Sequence, residues 1–235
     1  MVSINAIRNR KSGFPAREWM LDSGAFTEIR QYGRYRDPPE IYAAQIRLWW
    51  GNGLLIAAVS QDYMCEPAML AKTGLTPADH QRLTIERYDA IKAAVGPMVY
   101  ILPVLQGYWP EEYVSHIRQY GNRLAENQWV GVGSVCKRNA RVEDIEHVLV
   151  AIQRERPDLR LHGFGVKTTA LESQIVRAAF WSADSMAWSY AARREGRDRN
   201  SHVEAAAFAE RIGTQRVKAR EYQGRLLFEL QPDGR

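Results

Sequence analysis

A chain of 235 residues with 46% apolar side chains can bury one sizeable core, and its length suits a single α/β domain of barrel size spanning 1–235. It contains no run of about 18 apolar residues that would mark a membrane span, and Met1-Val-Ser-Ile-Asn5 lacks the basic-then-apolar start of a secretory signal. Two cysteines, Cys65 and Cys136, exclude a disulfide framework and fit a reducing cytoplasm, while a net charge of +5 permits an anionic polymer as partner without requiring one.

Val2 to Ile7 reads as a first strand, followed by a basic loop (Arg8, Arg10, Lys11) that ends at Gly13-Phe-Pro15. Trp19 to Asp22 is a second apolar run, and Gly24 behind it permits a tight turn or a close approach to a ligand. After a loop from Tyr32 to Pro39, a helix is predicted from Pro39 or Glu40 to Trp50. Leu54 to Val59 is a strand that leads into Gln61-Asp62. Thr76 as N-cap with Pro77 at the first position predicts a helix to about Val95, stopped by Gly96-Pro97.

Val99 to Leu105 is the next strand, with Pro103 forcing a local irregularity and Gln106-Gly107 at its end. A helix starts at Trp109-Pro110 and runs toward Leu124. Trp129 to Gly133 is a strand ending at Ser134, where Gly131 and Gly133 suit backbone amides that approach a ligand closely. A helix from about Val142 to Arg156, a strand from Leu159 to Val166 ending at Lys167, and a helix over 170–180 follow. Phe180 to Ala183 is a strand that delivers Asp184. The charged tail from Asn200 to Glu221 reads as helix, and Arg225 to Leu230 as a last strand or packing arm.

Short apolar runs alternating with amphipathic helices read as buried parallel strands, hence a TIM-like (β/α) barrel. In such a barrel, polar side chains at the C-terminal strand ends face the active-site mouth. Asp22, Asp62, Gln106 and Asp184 are therefore expected to converge. Two carboxylates near one sugar suit glycosidic chemistry, one as nucleophile and one handling protons. An ionised Asp62 accepts from a purine's ring N–H and exocyclic amine, and Gln106 donates to its carbonyl oxygen. Each residue has a plainer reading. Asp62 is also a loop or helix cap, His162 is more often a satisfied core histidine, His80 and His116 are packing or surface residues, and acidic strand ends also occur in magnesium sites.

Asp22-Ser-Gly-Ala-Phe26, Gln106-Gly107, Val130-Gly-Val-Gly-Ser134 and Ser182-Ala-Asp-Ser185 resemble, in order, the landmarks of the tRNA-guanine transglycosylase superfamily. Val104-Leu-Gln-Gly107, Gly131-Val-Gly-Ser-Val-Cys-Lys-Arg138, Leu161-His-Gly-Phe-Gly-Val-Lys167 and Ser182 to Arg193 are similar to its DNA-modifying branch, which places 7-deazaguanines in DNA. The resemblance, over about Ser3 to Arg199, implies that Asp184 is the nucleophile at C1′ and Asp22 the general acid/base. It further implies Asp62, Gln106 and Gly131-Val132-Gly133 around the purine, and Ser23 orienting the nucleotide.

The implied partners are DNA and a free 7-deazaguanine base such as 7-cyano-7-deazaguanine. A homo-oligomer is compatible with the sequence, and no cofactor is implied, since base exchange conserves the glycosidic bond. Lys137, Arg138, Lys167, Arg193, Arg194, Arg197 and Arg199 are expected to meet phosphate, and Trp188, with Tyr63, Tyr108, Trp109 and Tyr190, to stack on bases. Their plainer reading is a solvated surface and a helix core. The sequence departs from the tRNA enzymes in having no cysteine after Asp184, only His202, so their structural zinc site is not supported. The short N-terminal part predicts a barrel with missing or substituted strands. Rival readings are a transglycosylase acting on tRNA, a glycosidase using water, and an idle nucleic-acid-binding subunit.

Overall fold

The computed structural model describes residues 1–136, 141–198 and 201–214. Eight strands follow chain order: β1 (Val2–Ser3), β2 (Glu18–Asp22), β3 (Leu54–Val59), β4 (Ile101–Leu102), β5 (Val104–Leu105), β6 (Trp129–Val132), β7 (Arg160–Gly163) and β8 (Phe180–Ala183). All pairings are parallel, in two sheets ordered β1-β2-β3-β4 and β5-β6-β7-β8. The break falls at Pro103, which has no N–H to give to a ladder. The predicted strand around Pro103 is therefore two short pieces, β4 pairing back to β3 and β5 pairing on to β6. No pairing joins β8 to β1 among the described residues, so the architecture is a parallel α/β fold in which barrel closure is not seen.

The helices between the strands are α1 (Ile4–Ile7), α2 (Ala25–Tyr32), α3 (Pro39–Trp49), α4 (Pro67–Thr73), α5 (Pro77–Val95), α6 (Pro110–Tyr120), α7 (Val142–Glu155), α8 (Gln174–Ala179), α9 (Ala187–Arg194) and α10 (His202–Thr214). The predicted start of α5 is borne out by a capping box: the Asp79 N–H donates to Thr76 Oγ1, and the Thr76 N–H to the Asp79 carboxylate. The first predicted strand is corrected. Only Val2–Ser3 is extended, and Ile4–Ile7 turns into helix so that Ile4 and Ile7 both enter the core. α2 and α4 are not among the predicted elements; each is short and follows a glycine- or proline-marked turn. Arg225 to Leu230 lies outside the described residues. No helix among the described residues is long and apolar enough to cross a membrane.

The sheet is apolar on both faces, as parallel strands covered by helices require. Trp19, Leu21, Leu55, Ile101, Leu105, Val130, Val132 and Leu161 join the large core under the helices. Met20, Ala57, Val59, Leu102 and Val104 form a second cluster on the inner face, with Trp129 and Phe164 packed against it. Because side chains alternate along a strand, the inner rows continue at their C-terminal ends to Asp22 after Met20, Gln106 after Val104, and Asp184 after Ser182. The fold thus ends its inner apolar rows in carboxylates and an amide.

Candidate active site

Asp62 lies beyond β3 in a stretch, Ser60 to Glu66, that is buried throughout although it has no regular structure. Hydrogen bonds from distant segments hold it. Arg87 Nη1 donates to Gln61 Oε1 (2.5 Å), the Tyr63 N–H to Thr84 Oγ1 (2.9 Å), the Cys65 N–H to Ser134 Oγ (3.3 Å), and His80 Nδ1 lies 2.8 Å from the Met64 carbonyl. The Tyr35 hydroxyl donates to the Asp62 carbonyl at 2.9 Å. His80 and His116, read as packing or surface residues, are fully buried and pin the site's backbone. The Gln106 N–H donates to His116 Nδ1 at 2.8 Å, and burial pushes the His116 imidazole down to about 3, so it stays neutral.

Gln106 Nε2 donates to Asp62 Oδ2, and Gln106 Oε1 accepts from the Ser134 hydroxyl at 2.8 Å. Asp62, Gln106 and Ser134 are therefore one buried chain, and the second Nε2 hydrogen of Gln106 is left for a ligand oxygen. Ser134 adopts φ +60°, a left-handed conformation that turns its side chain back to this chain. Burial raises the Asp62 carboxyl to about 7; the Gln106 hydrogen bond opposes this, and the Asp22 and Glu66 charges reinforce it. At neutral pH Asp62 is thus poised between proton donor and acceptor.

The Asp22 carboxyl is also raised, by burial first, against the hydrogen bonds from Ser3 and the Gly24 N–H, with the Asp184 charge adding to the rise. Asp22 thus feels Asp184 directly and, in turn, raises Asp62. The four residues expected to converge share one electrostatic neighbourhood. Asp184 is fixed by a backbone clasp in which its own N–H donates to the Gly163 carbonyl (3.1 Å) and its carbonyl accepts from the Val166 N–H (2.9 Å). Its Oδ1 accepts from the Gly165 N–H at 3.2 Å.

His162, read from sequence as a core histidine, is buried at 3% exposure with Nε2 facing Asp184 Oδ1 at 3.4 Å, outside good hydrogen-bond alignment. Its Nδ1 is 2.9 Å from Ser182 Oγ, which accepts the Trp129 indole N–H at 2.9 Å. With the Ser182 hydroxyl hydrogen given to Nδ1, the imidazole hydrogen sits on Nε2, the ring nitrogen nearer the Asp184 carboxylate. The opposite tautomer would set a lone pair against Asp184. The clue in the sequence is alternation, because His162 and Phe164 share the inner face while Leu161 enters the helix-side core.

Gly131 and Gly133 line the same face for a different reason from the one expected. Their N–H groups donate to the Pro103 (2.8 Å) and Leu105 (2.9 Å) carbonyls and are not offered to a ligand. Glycine is required for room. A Cβ on Gly131 would lie 2.4 Å from the Phe164 ring, and one on Gly133 would lie 2.1 Å from Gln106 Nε2. The Val132 side chain faces the helix-side core. Ser23 is buried and lines a small cavity of about 160 Å³ with Arg8, Tyr35 and Gln61.

A family model described as DpdA, DeoxyPurine in DNA protein A, matches residues 2–221. The chain belongs to the DpdA family. This is the DNA 7-deazaguanine modification branch expected from the motifs. No curated protein matches the chain. Asp22, Asp62, Gln106 and Asp184 all fall inside the matched span of this DpdA chain.

The residues expected to meet nucleic acid are spread more widely. Arg193 and Arg194 are exposed in the last turn of α9, which begins three residues after Asp184, and the Arg194 guanidinium lies 6.0 Å from the Tyr190 ring centre. Trp188 is partly buried, Tyr190 is exposed, and Lys167 is exposed after β7. Tyr63 is buried, with its ring edge-on to Tyr35 and His80, so it offers no face for stacking. Arg197 is engaged by Glu195 and Glu204. Lys137, Arg138 and Arg199 lie outside the described residues. No group of three His, Cys, Asp or Glu side chains that could hold a metal occurs among the described residues.

Proposed function

We propose that this protein exchanges guanine in DNA for a 7-deazaguanine, through a covalent link between Asp184 and the deoxyribose. The observation that carries the proposal is the Asp22 carboxyl, raised by burial and by the Asp184 charge, beside the Asp62–Gln106–Ser134 chain, within a DpdA chain. Asp184 Oδ attacks C1′ of the guanine nucleotide, the C1′–N9 bond breaks with its electron pair going to the base, and the Asp22 carboxyl supplies the proton that the departing guanine takes. The incoming 7-deazaguanine gives its N9 proton to the Asp22 carboxylate and attacks C1′, which releases Asp184. The raised proton affinity of Asp22 suits the first half of this cycle.

The purine edge is read by ionised Asp62, which accepts from the ring N–H and exocyclic amine, and by the Gln106 amide, which donates to the carbonyl oxygen. Gly131 and Gly133 give the Phe164 ring and the Gln106 amide room to stand beside the base. Ser23 and the α9 arginines are assigned to the nucleotide and its phosphates. The target base has to leave its stack to reach C1′ chemistry. Parallel strands in chain order are the arrangement a (β/α) barrel uses, here with β4 and β5 as two pieces of one strand position, and closure would bring β8 and Asp184 next to β1.

The test is incubation with DNA or tRNA carrying labelled guanine, with and without 7-cyano-7-deazaguanine. Label release from DNA that depends on the added base is the expected result. Release without it would mean hydrolysis, release from tRNA alone would move the substrate to RNA, and no release from either would reduce the chain to a binding role.

A further inference from the structure

We propose that the open groove between α2 and α4 is the berth of the nucleotide next to the target guanine in the DNA strand, an assignment that rests on the base-exchange reading. The groove encloses about 650 Å³, within the range of about 300–1,000 Å³ typical of small-ligand sites, and is lined by Phe26, Arg30, Glu66, Met69, Lys72 and Tyr108 among others.

Its position follows from the chain. Phe26 comes four residues after Asp22, Glu66 four after Asp62, and Tyr108 two after Gln106, so three segments that carry the base pocket run straight on into the groove. Glu66 marks the boundary, since it lines the groove and its charge raises the Asp62 carboxyl. A strand whose target base occupies the pocket has its neighbouring phosphodiester and base at this edge.

The lining has the chemistry of a single-strand site, aromatic and apolar faces with cations at the rim. Phe26 is 37% exposed, and the Arg30 guanidinium lies over it, 5.4 Å from the ring centre. Arg30 and Lys72 are both exposed, and neither enters an ion pair among the described residues. These two cations face the single carboxylate of Glu66, which is buried at 6% exposure. An anionic backbone with stacking bases matches this balance better than an apolar peptide does. The groove is built from segments that follow Asp22, Asp62 and Gln106 in the chain and are distinct from the α9 arginines, so a strand crossing the site has a separate hold on each side of the flipped base.

The test uses a fluorescent thymine oligonucleotide with one central guanine, titrated by anisotropy over a salt series, with the free base titrated in parallel. Removing one single-strand phosphate contact lowers the log–log salt slope by about 0.7. Arg30→Ala with Lys72→Ala is therefore expected to lower it by about 1.4 and to weaken DNA binding about tenfold or more, with free-base affinity unchanged. 5-Iodouracil placed beside the guanine is expected to crosslink to Phe26 or Tyr108 on irradiation.

An unchanged slope and affinity in a double variant of native circular dichroism, with wild-type exchange intact, overturns the groove assignment alone. So do crosslinks confined to α9. Failure of the wild type to bind or exchange on DNA overturns the base-exchange reading instead, and the two failures are thus told apart.

Discussion

Asp62→Asn tests the electrostatics of the site without touching its shape. The wild-type carboxyl titrates near 3.8 when unfolded and at about 7 when folded, because burial disfavours its charge. Between these values the folded chain holds a proton that the unfolded chain has lost. Stability therefore falls as pH rises from about 4 to about 7, by about 1.4 kcal/mol per pH unit, and levels off above about 7 with about 4 kcal/mol lost. Asparagine keeps an oxygen to accept the Gln106 amide and has no charge to bury. The stability of the variant minus that of the wild type should be small near pH 4 and grow by about 3 kcal/mol between pH 5 and pH 8. Urea denaturation at several pH values measures this. The Asp22 titration is present in both proteins and largely cancels in the difference. A difference that is flat with pH, or that shrinks as pH rises, refutes the reasoning.

The same proton governs the ligand. Free 7-deazaguanine should bind about tenfold more tightly for each pH unit up to about 7 and no better beyond, because the ring N–H needs an ionised Asp62; calorimetry in two buffers should also show a proton released on binding. Asp184→Ala should abolish any covalent DNA adduct on a denaturing gel while the circular dichroism stays native. His162→Phe should lower the single-turnover exchange rate about tenfold or more with the free-base affinity unchanged, and His162→Gln, which restores an N–H toward Asp184, should recover part of the loss. Gly133→Ala should displace the Gln106 amide, cost about 1–3 kcal/mol of stability and weaken base binding at least tenfold, measured by urea midpoint and titration.

Sequence reasoning located what repeats with a fixed physical period. The alternating apolar runs gave the strands, Thr76-Pro77 and Gly96-Pro97 gave the ends of α5, and Pro103 gave the broken strand. Asp22, Asp62, Gln106 and Asp184 were legible because each stands where an apolar run stops. What escaped depended on contacts between distant segments. His162 looks like a core residue until β8 brings Ser182 and Asp184 to its two nitrogens. Ser134 becomes part of the site only because Gln106, 28 residues earlier, reaches it. The amides of Gly131 and Gly133 were expected to meet a ligand, but the carbonyls that occupy them lie at Pro103 and on β5.

That glycine pair has a consequence for how the protein can change. A methyl group added at Gly131 would collide with Phe164, and one at Gly133 with Gln106, so neither position can gain a side chain through which selection could reshape the pocket. On the base-exchange reading, preference among bases with different groups at the 7-position is then expected to be tuned from the opposite rim or from the loops above it. Lineages that handle different deazapurines should keep the two bare positions and diverge elsewhere.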